Sequence, residues 1–115
     1  MTDQHTPGPW WVERRVGDAS QVNARHRGEG SSYCVASINH WEGDADRANA
    51  RLIAAAPDLL EALKRLARAY VSTMESGRDR IVSLGGDCDP VDVMERGDPY
   101  LRIAREAIAK AEGRS

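Results

Sequence analysis

Five side chains in the 115-residue sequence could ligate a soft metal or pair as nucleophile and base: His5, His26, Cys34, His40 and Cys88. A zinc site draws its ligands from closely spaced pairs such as Cys-x2-Cys or His-x3-His. No such pair occurs, so these residues read as scattered surface histidines and one buried thiol, with no metal site. Cys34 and His40 are six positions apart, an even spacing that puts both on one face of a strand. Roughly 20 Å of extended chain would still separate them, too far for direct proton transfer. Cys88 lies in GGDCDP between two aspartates, which disfavour its thiolate. The G-x-S-x-G, G-x-x-x-x-G-K and H-E-x-x-H motifs are all missing. The expectation is a protein without catalytic residues or cofactor, not an enzyme.

Binding chemistry is better represented. Trp10, Trp11, Arg14, Arg15, Arg25, His26 and Arg27 fall on two segments that alternate like neighbouring strands. Arginine grips phosphate in bidentate fashion and tryptophan stacks on bases or guanidinium planes. That set could hold a nucleotide, a single strand or an acidic protein face, although Glu13, Asp18 and Glu29 dilute its charge. The competing structural reading is a solvated outer sheet face with one core tryptophan. A second set is acidic: Asp87, Asp89, Asp92, Glu95 and Asp98 in a single connection. It reads either as a capped, solvated loop or as an anionic strip that docks on a basic protein.

Bulk composition excludes more than it selects. There are 16 basic and 18 acidic residues, for a net charge of −2, which argues against a dedicated nucleic-acid or membrane binder. Fourteen of the 16 basic residues are arginine, a bias that fits a GC-rich genome better than an arginine mechanism. No run of apolar residues is long enough to span a bilayer, and the N-terminus lacks the features of a secretory signal. The expected location is the cytoplasm of a bacterial host cell, where the two cysteines would be free thiols.

These residues need elements to position them. Residues 1–9 form a flexible lead-in that stiffens at the prolines of Thr6–Trp10, TPGPW. WWVERRV, the weaker SQVNARH and the stronger SYCVASINHW follow as strand candidates, separated by turn signals. In the third, Cys34, Ala36 and Ile38 alternate against Tyr33, Val35 and Ser37. The fold class is therefore α+β: a small three-stranded antiparallel sheet at about 10–40 within a β-region ending at 43, covered by helices.

Asp44 is a candidate N-cap for a helix over 44–55, with an apolar stripe of Ala48, Leu52, Ile53, Ala55 and Ala56. Pro57 would then open a second helix over 57–76, striped by Leu59, Leu60, Leu63, Leu66, Ala67, Tyr70 and Met74, with a bend between the two; one kinked helix is the alternative. Residues 77–97 read as a long connection, with a short helix at Pro90–Arg96 after Asp89. Asp98-Pro99 starts a final helix over 98–112, striped by Tyr100, Ile103, Ala104, Ala107, Ile108 and Ala111 and stopped by Gly113. The whole is read as a single domain, 1–115. The stripes are wide for so small a sheet, and a homodimer through helices 57–76 and 98–112 is one way to cover them.

TPGPW together with ANARLIAAAPDLLEAL (Ala48–Leu63) resembles a family of small proteins encoded in tailed-bacteriophage and prophage genomes. The resemblance implies origin rather than chemistry: accessory phage genes include inhibitors of host defence, regulators and small structural proteins. It supplies no catalytic or ligand residue, and it does not extend over Gly77–Gly97. The leading expectation is a non-enzymatic accessory protein that binds a host protein, such as a component of a defence system, through the sheet and the 77–97 segment. The alternatives are an oligomer that sequesters a nucleotide or small ligand through its Trp/Arg cluster, and a DNA-associated regulator, which the net charge disfavours.

Overall fold

Residues 4–14, 20–25, 30–38 and 44–114 are described by a computed structural model. The elements are β1 (Trp10–Arg14), β2 (Ser20–Arg25), β3 (Ser32–Ile38), α1 (Asp44–Ser83), α2 (Val91–Gly97) and α3 (Pro99–Ala111). The strands form one antiparallel sheet in the order β1-β2-β3, so the α+β expectation holds. The chain divides into two compact units, Gln4–Leu59 and Leu60–Ser115.

In the first unit the weakest strand of the sequence takes the centre of the sheet. β2 has a neighbour on each side, and its Val22 and Ala24 are completely buried. Trp10 pairs with Ala24 and Val12 with Val22, so these four share one face, while Trp11 pairs with Asn23 on the other. On the far side Val22 pairs with Ala36, but Asn23 pairs with Cys34, so Val35 is an extra residue in a bulge. The bulge overturns the simple alternation expected for β3. Tyr33 joins the face of Ala36 and Ile38, and Cys34 joins the face of Ser37, because one inserted residue inverts every side chain beyond it.

The helix that follows runs unbroken from Asp44 to Ser83, with Pro57 inside it. The expected pair of helices over 44–55 and 57–76 is therefore one element, and the side chain of the candidate cap Asp44 lies outside the described residues. Its inward stripe also differs from the expected one. Ala50 is completely buried and Ile53, Ala54 and Pro57 are half-buried, at helical spacings, whereas Ala48, Leu52 and Ala56 are exposed. Pro57 thus lies on the buried stripe. Proline within a helix forfeits a backbone hydrogen bond and costs about 3 kcal/mol. Part of the compensation is visible: a Cβ built on Gly8 would stand 3.2 Å from Pro57 Cβ and 3.7 Å from its Cγ. The lead-in glycine is packed on the helix proline.

Hydrogen bonds secure the rest of TPGPW. The Trp10 indole donates to the Thr6 carbonyl at 3.1 Å, and the Thr6 and Tyr33 hydroxyls are hydrogen-bonded. His5 meets the Trp10 ring edge-on, with centroids 6.2 Å apart. Trp10 is therefore used in closing the lead-in onto its own unit.

In the second unit α1 continues past Gly77, which was expected to open the connection. A glycine costs a helix about 1 kcal/mol without ending it. The stop comes at Gly85, in the left-handed region at φ 89°, where Gly85 N donates to Val82 O at 3.0 Å and Gly86 N to Ile81 O at 2.9 Å. α2 has Pro90 at its N-cap and no side-chain cap bond, so Asp89 does not cap it. α3 follows its expectation closely. Asp98 accepts from Tyr100 N and Leu101 N, both at 2.9 Å, with Pro99 behind it. Gly113, at φ 73°, closes the far end: Arg114 N reaches Ala109 O at 2.7 Å. The buried residues of α3 are Leu101 and Ile108. Leu101 was absent from the expected stripe, and Tyr100, Ile103 and Ala107, which were in it, are exposed.

Candidate functional site

The expected Trp/Arg cluster is only partly assembled. Trp11 and Arg25 lie on the same sheet face, two register positions apart, with Trp11 half-buried and Arg25 exposed. Arg14 pairs with Ser20 on the opposite face, and its side chain lies outside the described residues. So do Arg15, His26 and Arg27, as well as His40. The Trp11 face also carries Glu13, whose carboxylate accepts a hydrogen bond from the Asn23 amide. That contact orients the amide, so Asn23 Oδ1 faces the interior, buried and without a hydrogen-bond partner. A carboxylate on the same face as the tryptophan and the arginine weakens it as a phosphate site.

Among the described residues no group of three or more His, Cys, Asp or Glu side chains comes together as a metal site. Both cysteines are free. Cys34 is exposed, donating weakly to Ala36 O at 3.3 Å, and Cys88 is half-buried beside Met94 Sδ at 3.9 Å, so neither is the buried thiol expected.

The acidic set separates into structural and exposed members. Asp98 caps α3 and also accepts from the Tyr70 hydroxyl at 2.6 Å. The Tyr70 bond, then the Leu101 N–H, hold its carboxyl below the usual range, and the same bond raises the Tyr70 phenol. Glu95 is ion-paired to Arg105 at 2.9 Å, and Asp92 to Arg96 at 3.5 Å, one turn along α2. Asp87 and Asp89 have exposed carboxylates with no partner among the described residues. The Asp89 carbonyl accepts from Arg78 Nε at 3.2 Å, which ties this connection back to α1.

Close in sequence to those free carboxylates is an apolar group that the sequence reading missed. Leu84, at the turn that ends α1, is 77% exposed, and Ile81, Val82 and Val93 are exposed around it in sequence. The only early sign was Ile81, Val82 and Leu84 standing close together in a segment otherwise rich in charge and glycine.

Two of the concavities among the described residues of the second unit bear on function. One, of about 540 Å³, is lined by Lys64, Arg68, Glu75, Glu95, Arg105 and Glu112 among others. Its charges are mostly spent on each other: Glu112 takes both Lys64 at 2.9 Å and Arg114 at 2.6 Å. Lys64 first and Arg114 second hold the Glu112 carboxyl below its usual range. The other, of about 250 Å³, is a groove lined by Leu63, Leu66, Ala67 and Tyr70 of α1 and Tyr100, Leu101 and Ala104 of α3.

A family model described as Salmonella phage P22 protein Y8K6 matches residues 1–115. The chain belongs to that phage family. No curated protein and no solved structure matches it. Membership over the full length extends to the 77–97 segment, which lies outside the TPGPW and ANARLIAAAPDLLEAL motifs. Among the described residues no helix is long and apolar enough to cross a membrane.

Proposed function

We propose that this phage protein is a non-enzymatic accessory protein that binds a host protein, and that the connection after α1 is its contact surface. The observation that carries the reading is the exposed Leu84 at the turn that ends α1, followed within five residues by the exposed carboxylates of Asp87 and Asp89, which have no partner among the described residues. An exposed apolar anchor with charged groups near it is the usual arrangement of an interface centre and its rim. The carboxylates steer a basic partner face, and the apolar anchor holds it once water is expelled. Binding of this kind works by occlusion and needs no catalytic group. A component of a host defence system is the target class that the phage origin favours.

The test uses the immobilised full chain and lysates of several bacterial hosts. The expected result is retention of one protein, weakened by salt, and lost with Leu84→Glu and with the Asp87→Lys/Asp89→Lys pair. Equal retention by the wild type and both variants, or none from any host, contradicts the proposal. The nucleotide alternative keeps only Trp11 and Arg25 on one face. It predicts a rise in melting temperature with a nucleotide that Arg25→Ala abolishes, and no rise with any nucleotide removes it.

A further inference from the structure

We infer that the apolar strip on α1 and α3 of the Leu60–Ser115 unit is covered by a second copy of this chain. The unit has few buried apolar residues of its own: among those described, only Leu101 and Ile108 are buried. Beside them Leu66 is 66% exposed, Tyr70 39%, Tyr100 75% and Ile103 61%. The groove of Leu63, Leu66, Tyr70, Tyr100, Leu101 and Ala104 runs through this strip, and its walls are almost entirely apolar. Hydrophobic surface thus outweighs the hydrophobic core, the reverse of what a self-sufficient pair of helices shows.

Area and charge select a second copy over another occupant. The four exposed side chains present on the order of 500 Å² per chain, so two strips face to face remove on the order of 1,000 Å², the lower bound for a specific interface. Two tyrosines at its centre fit the residue preference of such interfaces. The bordering charges are of both signs: on α1 Glu61 is paired with Arg65 at 3.2 Å, and on α3 Arg102, Glu106 and Lys110 stand around Ile103 in sequence. A border that carries both signs shows no strong preference for a basic or an acidic partner, and it does not repel its own copy. A two-fold axis through the strip places the same patch on itself, as closed dimers require. This surface shares no residue with the Leu84 surface, so the two proposals stand or fall separately.

Sedimentation equilibrium of the full chain over a hundredfold range of concentration tests the inference. The expected result is a species of twice the 12.6 kDa chain mass. Ile103→Glu and Leu66→Glu each weaken association at least tenfold with helix content unchanged by circular dichroism, and Leu84→Glu leaves it intact. Ile103→Ser, which adds no charge, gives the same loss if either glutamate variant disturbs folding. A wild-type chain that stays monomeric throughout overturns the inference, whatever other protein it binds. So does a folded Ile103→Ser chain that dimerises like the wild type.

Discussion

Gly8→Ala is the sharpest probe of how the lead-in and the long helix hold each other. The new methyl carbon would lie 3.2 Å from Pro57 Cβ, 3.7 Å from Pro57 Cγ and 3.9 Å from Trp10 N. Pro57 Cβ belongs to a ring fused to the backbone of α1, so no rotamer change moves it aside. Overpacking of this kind costs about 1–3 kcal/mol. Gly8 does not have a left-handed φ, so alanine also stiffens the unfolded chain, a gain of about 0.4–1 kcal/mol. The net expectation is a loss of about 1 kcal/mol, or a fall of about 4 °C in melting temperature. Trp10, Trp11 and Trp41 all fall within Gln4–Leu59, so tryptophan fluorescence during urea unfolding reports on that unit alone. In a Pro57→Gly background, which removes the opposing Cβ, the alanine should cost nothing, giving a coupling of about 1 kcal/mol. A Gly8→Ala chain as stable as the wild type, or one equally destabilised in both backgrounds, would refute the contact as a reason for the proline.

Other expectations follow from the caps and carboxylates. Asp98→Ala removes an acceptor shared by two backbone N–H groups and the Tyr70 hydroxyl, and thermal circular dichroism should show an earlier loss of helix, partly restored in Asp98→Asn. Asp98 and Glu112 are lowered from 3.8 and 4.5, so their stabilisation is complete above those values and is lost as pH falls through the lower folded ones. Glu112→Gln lacks that contribution, so it should be less stable than the wild type at neutral pH and lose less stability as pH falls below 4.5, read as the urea midpoint of helix content at each pH. Tyr70 is raised from 10.0, so its contribution is present below that value and fades as pH rises through the folded one; Tyr70→Phe should flatten the alkaline limb. Gly85→Ala forces a side chain into φ 89° and should cost about 1–2 kcal/mol in urea unfolding.

Much of the fold was legible because local signals agreed with it. Asp98-Pro99 with Gly113 marked both ends of α3, since a cap, a proline and a left-handed glycine each satisfy backbone groups locally. The three strands were readable from alternation and turns. What could not be read depended on distant contacts. Three consecutive antiparallel strands already put Ser20–Arg25 in the middle of the sheet, but the complete burial of Val22 and Ala24 is not announced by its own composition. The bulge at Val35 is a register event with no residue signature here. Pro57 looked like a helix start because its partner, Gly8, lies far off in sequence.

The candidate surfaces show the same division. Asp87 and Asp89 could be picked out by charge, and both remain exposed, but Asp98 and Glu95 looked equivalent to them and are held in a cap and an ion pair. Trp10 looked like a binding residue and is hydrogen-bonded to its own lead-in. Leu84 escaped notice because a lone leucine in a connection usually marks nothing, and its exposure becomes apparent only with the turn that presents it.

The central claim, that this phage protein acts by binding through the connection after α1, is tested most directly by measuring retention of the captured host protein as a function of salt. For the wild type, retention should fall steadily as salt rises. For the Asp87→Lys/Asp89→Lys chain it should be weak at every salt concentration, and for Leu84→Glu weak even at the lowest. Retention that is the same for all three chains, or insensitive to salt, would contradict the claim.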